Sequence, residues 1–260
     1  MKTFIKLTAV VGLFTISSTA FSAAPIIGGT EIKDTALLTK IAKIYFGSIN
    51  GNECSGSRIA PGWLLTAAQC VHRSSQEAST VIFGSGERCK VVKVISYPGS
   101  ESDHNLTPDL ALIEVDCKDS KSPTFDLDPT VSNLPKGEHV FQVGFQFRSG
   151  KGMQAEFIIE DLKQMINDTR IPEDQRSEFE SKLKAYDWTF RFLTVSSKTF
   201  RNAPGDSGGP VYMLKGGKQV LVGVISGSIS PTRQIDQIVA DYGTLTGSKL
   251  AMDFIDKYIH

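Results

Sequence analysis

No run in this sequence is long and apolar enough to cross a bilayer as a helix, which takes about 20 apolar residues. The nearest candidate, Leu7 to Ile16, is too short. Lys2 and Lys6 flank its start, and small residues through Ser22-Ala23-Ala24 follow it. That pattern predicts a secretory signal peptide over residues 1–22, with 23–25 as a short pro-segment. The mature chain is therefore expected as a secreted or periplasmic monomer with no membrane insertion. Net charge is lacking too: 28 basic residues cancel 28 acidic ones, so neither nucleic acid nor an anionic membrane surface is an expected partner. The four histidines are scattered, and no Cys-x-x-Cys pair occurs, which argues against zinc; no cofactor is expected. Four cysteines in an exported chain imply two disulfides, with three connectivities open.

What the sequence has in quantity is short β-type runs. They are Ile41–Phe46, Trp63–Thr66, Val81–Phe83, Val91–Ile95, Leu110–Val115, Val140–Phe145, Thr189–Val195, Val211–Leu214 and Leu221–Ile225. Turn chemistry separates them, as at Asn50-Gly51, Pro61-Gly62, Pro98-Gly99, Pro135-Lys136-Gly137 and Gly216-Gly217. Many short strands joined this way predict an all-β sandwich or barrel. Two stretches differ. Residues 160–186 carry Leu162, Met165, Ile166, Phe179 and Leu183 at helical spacing, with Pro172 at the first turn of a second helix. They read as a helical surface insertion. Lys249–Ile259 predicts a C-terminal helix burying Leu250, Phe254, Ile255 and Tyr258.

Three strings carry chemistry. Gly205-Asp206-Ser207-Gly208-Gly209-Pro210 precedes an apolar strand. A nucleophilic hydroxyl needs a tight, exposed turn and N–H groups aimed at a developing oxyanion, and glycines on either side allow that backbone. Upstream, Trp63-Leu64-Leu65-Thr66-Ala67-Ala68-Gln69-Cys70 ends a strand in small residues and a cysteine. Between them, Asp109-Leu110-Ala111-Leu112-Ile113 puts a carboxylate at the head of a buried strand. Ile26-Ile27-Gly28-Gly29 stands near the start.

In their order along the chain, these motifs resemble the chymotrypsin-like serine peptidases from Ile26 to about Ile259. The resemblance implies two six-stranded antiparallel β-barrels filling residues 26–260 and a peptide or protein as substrate or ligand. It also implies Ser207 as nucleophile, the N–H groups of Gly205 and Ser207 as oxyanion hole, and Asp109 as the carboxylate orienting a base. A freed N-terminal ammonium at Ile26 would pair with Asp206. Ser226-Gly227-Ser228 would run beside the substrate backbone, with Ser226, Ser228 and Arg201 around the primary pocket. The resemblance also implies a Cys54–Cys70 bridge and, with it, Cys89–Cys117.

The departures matter as much. Gln69 occupies the family's histidine position, and a carboxamide cannot accept the serine proton and return it to a leaving amine. The chain therefore reads as a peptide- or protein-binding homologue without catalysis. The alternative is an active endopeptidase, either because Gln69 was put in place of a histidine or because another base serves. His104, five residues before Asp109, is the histidine placed for that role; His72 should point away from Ser207, and His139 and His260 should be solvated. Ala23-Ala24-Pro25 precedes Ile26, without the basic residue usual in the family, so loss of the Ala24-Pro25 dipeptide after signal cleavage would expose Ile26. Arg201 at the pocket floor would either favour an acidic side chain before the scissile bond or pair with an internal carboxylate. Gly227 removes a usual aromatic wall.

Overall fold

The computed structural model describes residues 26–47, 53–72, 78–102, 105–117, 122–145, 151–196, 200–231 and 238–259. The signal-peptide and pro-segment assignments, His104, His260 and the Asn50-Gly51 turn lie outside them. Among the described residues no helix is long and apolar enough to cross a membrane.

In chain order the first elements are β1 (Thr30–Glu31), α1 (Thr35–Lys40), β2 (Ile41–Phe46), β3 (Glu53–Ala60), β4 (Trp63–Thr66), α2 (Ala68–His72), β5 (Ala78–Phe83), β6 (Arg88–Ser96) and β7 (Ala111–Val115). Strands β2 to β7 close into a barrel in the order β2-β3-β4-β7-β6-β5. β2 is buried along its whole length, including Lys43, whose ammonium pairs with Glu53 at 2.8 Å. β3 was not legible as a strand because its buried positions include Ser55, Ser57 and Arg58. The Arg58 guanidinium lies 3.7 Å over the Phe83 ring and pairs with Glu87, which compensates a charge that could not otherwise be buried.

The remaining strands are β8 (Asp126–Leu127), β9 (His139–Phe145), β10 (Gly152–Glu160), β11 (Arg191–Val195), β12 (Pro210–Lys215), β13 (Lys218–Ile229) and β14 (Ala240–Leu245). Antiparallel pairings run β9-β10-β11-β14-β13-β12 and return to β9, closing a second six-stranded barrel. β1 adds to β10, and β8 lies parallel on β13. The two expected barrels are present. Cys54–Cys70 and Cys89–Cys117 are both bridged, with Cα atoms 6.1 and 5.5 Å apart.

The insertion contains α3 (Leu162–Ile166) and α4 (Glu173–Lys184). Asp161 caps α3 by accepting from the Gln164 N–H, and Pro172 stands at the N-cap of α4, one position earlier than expected. Met165, Ile171, Phe179 and Leu183 pack on Leu193, Ile229, Val239 and Ala240. The insertion is thereby fastened to the ends of β13 and β14, beside the cleft. Trp188–Phe190 form a 3₁₀ turn capped by Asp187, so the strand expected from Thr189 begins at Arg191. The last helix, α5 (Lys249–Asp256), buries Ala251, Phe254 and Ile255 against the first barrel, while Leu250 points outward, contrary to its expected burial.

Candidate active site

Three chain segments meet where the barrels face each other. α2 begins right after β4 and carries Gln69, which is buried and held by the neighbouring Cys70 bridge. Asp109 stands just ahead of β7 and is also buried. Its N–H donates to Thr244 Oγ1 of β14 at 3.2 Å, which ties the first barrel to the second. Asp109 Oδ1 accepts the Gln69 backbone N–H at 2.8 Å, and Oδ2 accepts Gln69 Nε2 at 3.0 Å. Nε2 also donates to the Ser226 carbonyl. Both partners are acceptors only, so the amide nitrogen must face them. The Gln69 side chain has thereby spent its donors, and what it retains is a carbonyl oxygen that does not titrate.

The Ser207 turn is shaped from below by β3. The Ser55 N–H donates to the Ser207 carbonyl and Ser55 Oγ to the Gly205 carbonyl, each at 2.8 Å. Gly208 has φ +82° and passes so close to Thr66 that a Cβ would lie 2.1 Å from its Oγ1, so only glycine fits. The Gly208 N–H donates to the Ile225 carbonyl and the Ile225 N–H to Gly209, sewing the turn to β13. Among the described residues the N–H groups of Gly205 and Ser207 take no acceptor. Two such amides beside a serine hydroxyl form a preorganised donor pair for a carbonyl oxygen.

Behind the turn, the Ile26 N–H and the Ala203 N–H both donate to Asp206 Oδ2 at 2.8 Å. Asp206 is fully buried and its Oδ1 has no partner. Burial pushes its carboxyl up to about 8, against the pull of those two N–H groups, and the nearby Asp241 carboxylate adds to the rise. Ile26 has φ +27°, a left-handed angle that a β-branched side chain tolerates poorly. That torsion exists only while a carbonyl precedes Ile26.

A cleft of about 290 Å³ opens beside Ser207, bounded by Gln69, Asn202, Pro204, Ser226–Ser228, Ile238 and Tyr242. β12 accompanies β13 only as far as Val224, so among the described strands none lies beside Gly227 and Ser228 on that edge. Gly227 carries no wall of its own, but the Tyr242 ring stands where its Cβ would be, 3.1 Å away, and supplies one from β14. Arg201 is not part of the lining. It is buried behind, exchanging backbone hydrogen bonds with Ile27, and its charge acts on Asp241. Asp241 is fully buried; it accepts from Ser228 Oγ and Ser196 Oγ at 2.5 Å and from the Asn202 N–H at 3.1 Å. Burial pushes its carboxyl up to about 6, with these donors and Arg201 pulling the other way.

The other described histidines lie elsewhere. His72 Nε2 is 3.1 Å from Ser100 Oγ, and exposed His139 pairs with Glu156 on β9 and β10. Neither lines the cleft. Sequence reasoning missed Asn202, Asp241 and Tyr242. The last two lie on β14, whose short polar run gives no strand signal; Asn202 was adjacent to a residue already singled out.

These barrels, with a serine turn and a buried aspartate between them, define the chymotrypsin-type architecture. The trypsin family's model matches residues 26–246, and the chain belongs to that family. Over 108 residues it is 39% identical to coagulation factor XII of Cavia porcellus, covering 37% of this chain. That match spans only 17% of the factor XII chain. Granzyme M of Homo sapiens is 27% identical over 215 residues, 77% of each protein. A solved structure of a Glu endopeptidase in complex with MPD superposes with a TM-score of 0.64 at 20% identity, covering 90% of this chain and 98% of that one.

Proposed function

We propose that this chain is an exported member of the trypsin family that holds peptide or protein segments in its cleft without hydrolysing them. One observation carries the reading: the Gln69 carboxamide occupies the position between Asp109 and the cleft, with its donors committed to Asp109 and Ser226. Acyl transfer from serine requires a group that takes the hydroxyl proton and gives it to the leaving amine near neutral pH. Loss of that histidine from a serine triad costs on the order of 10⁶ in turnover. At 1.36 kcal/mol per tenfold, this is about 8 kcal/mol of barrier.

What remains suits binding. The N–H groups of Gly205 and Ser207 can donate to a carbonyl oxygen of a peptide, and the unaccompanied edge of Gly227–Ser228 can pair with an extended backbone, as strand addition does elsewhere. The four bridged cysteines fit an oxidising, extracytoplasmic setting.

The test is labelling by a fluorophosphonate probe on protein beginning at Ile26. Labelling should stay at the background set by Ser207→Ala. Stoichiometric modification of Ser207 within minutes would overturn the reading, because rapid phosphonylation needs an activated hydroxyl.

A further inference from the structure

We propose that the cleft beside Ser207 selects a neutral carboxamide side chain, glutamine or asparagine, through Asn202. The inference rests on the peptide-binding reading above. Asn202 lines the cleft and is only 4% exposed, yet among the described residues neither its Nδ2 nor its Oδ1 has a partner. Ser226 Oγ, 1% exposed on the same lining, is also unpartnered. A buried donor or acceptor left unpaired costs roughly 1–3 kcal/mol, so a ligand that satisfies these atoms recovers that cost on binding. Asn202 is not free to turn away at the backbone, because its N–H is held by Asp241.

The ligand must bring both a donor and an acceptor at one end, since Asn202 offers both. A carboxamide does this in a two-point contact. A carboxylate brings acceptors alone and leaves Asn202 Oδ1 unpaired. An ammonium brings donors alone and leaves Asn202 Nδ2 unpaired. The charge behind the wall does not favour it either. Asp241 already accepts from Ser228, Ser196 and the Asn202 N–H, and the Arg201 charge opposes its own. Arg201, absent from the lining, gives no reason for an acidic preference. A volume of about 290 Å³ accommodates a side chain of this size.

The test is isothermal titration of three end-blocked pentapeptides, Ala-Ala-X-Ala-Ala with glutamine, glutamate or lysine at X, into protein beginning at Ile26. Glutamine should bind about tenfold more tightly than either charged peptide, the worth of two neutral hydrogen bonds. In Asn202→Leu the three should fall within about threefold of one another. Asn202→Asp, which keeps the shape of the side chain, should raise the lysine peptide above glutamine and serves if the leucine variant does not fold. Equal binding of all three in the unaltered protein, or a glutamine preference that survives in both variants, overturns the inference. If none binds, the peptide-binding reading fails and the preference with it. If the peptides are cleaved, only the non-catalytic part fails, and the order of affinity is then read on Ser207→Ala.

Discussion

The backbone nitrogen of Ile26 lies 2.8 Å from Asp206 Oδ2, although 180 residues separate them in the chain. As an amide it can give that carboxylate one proton, and Oδ1 stays unpaired. As a free ammonium it would bring three donors and a positive charge. The two forms should therefore respond differently to pH. With a residue still attached before Ile26, folded Asp206 titrates near 8, far above the usual carboxylate value of about 4. The folded state then binds more protons than the unfolded one, so stability falls as pH climbs from about 4 to 8. Asp241, raised to about 6, adds to the fall in the lower half of that window. In protein beginning at Ile26, the ammonium should keep Asp206 ionised; only the Asp241 fall remains, and from about pH 6 stability should hold until the amine loses its proton above about pH 8. Urea midpoints across pH 4–9 for both forms test this; parallel profiles contradict it.

Gly144 makes the seat for Asp206. A Cβ there would lie 1.7 Å from Asp206 Oδ1 and 2.4 Å from its Cγ. Gly144→Ala should cost at least about 3 kcal/mol or prevent folding, since it displaces a fully buried carboxyl. Gly216→Ala is the comparison. That glycine has φ +58° with nothing within 4 Å, so the cost should be limited to about 1–2 kcal/mol of backbone strain.

Arg170 links the helical insertion to the cleft wall. Its guanidinium donates to the Ser196 and Val239 carbonyls while pairing with Asp168. Ser196 supports Asp241, and Val239 adjoins the cleft residue Ile238. Arg170→Ala should destabilise by about 1.5–3 kcal/mol, the range for hydrogen bonds from a charged group. Urea unfolding measures it, and a change below about 0.5 kcal/mol would show that the insertion stands without this tether.

The barrels were legible because runs such as Ile41–Phe46 and Trp63–Thr66 are largely apolar, and both became strands with those bounds. β3 and β14 were not, because their buried positions carry Ser55, Arg58, Asp241 and Thr244. Such strands are held by pairings and compensated charges that only the closed barrel supplies. β10 does alternate, with Ala155, Phe157 and Ile159 inward and Glu156 and Ile158 outward, but an apolar residue at exposed Ile158 blurs that alternation in the sequence. In the site, the serine turn, Asp109 and Gln69 could be read from local strings. Asn202 and Tyr242 could not: the register of β13 on β14 brings Tyr242 beside Gly227, and Asn202 is held there by its N–H bond to Asp241.

The most direct measurement is amide hydrolysis by Gln69→His beside the unaltered chain, both beginning at Ile26. Position 69 lies between Asp109 and the cleft, within hydrogen-bond reach of the carboxylate, so an imidazole there would have its orienting partner already in place. The account predicts no Ser207-dependent turnover of a peptide substrate by the Gln69 protein and measurable turnover by the histidine variant, lost again on Ser207→Ala. Turnover by the Gln69 protein that disappears in Ser207→Ala would contradict it.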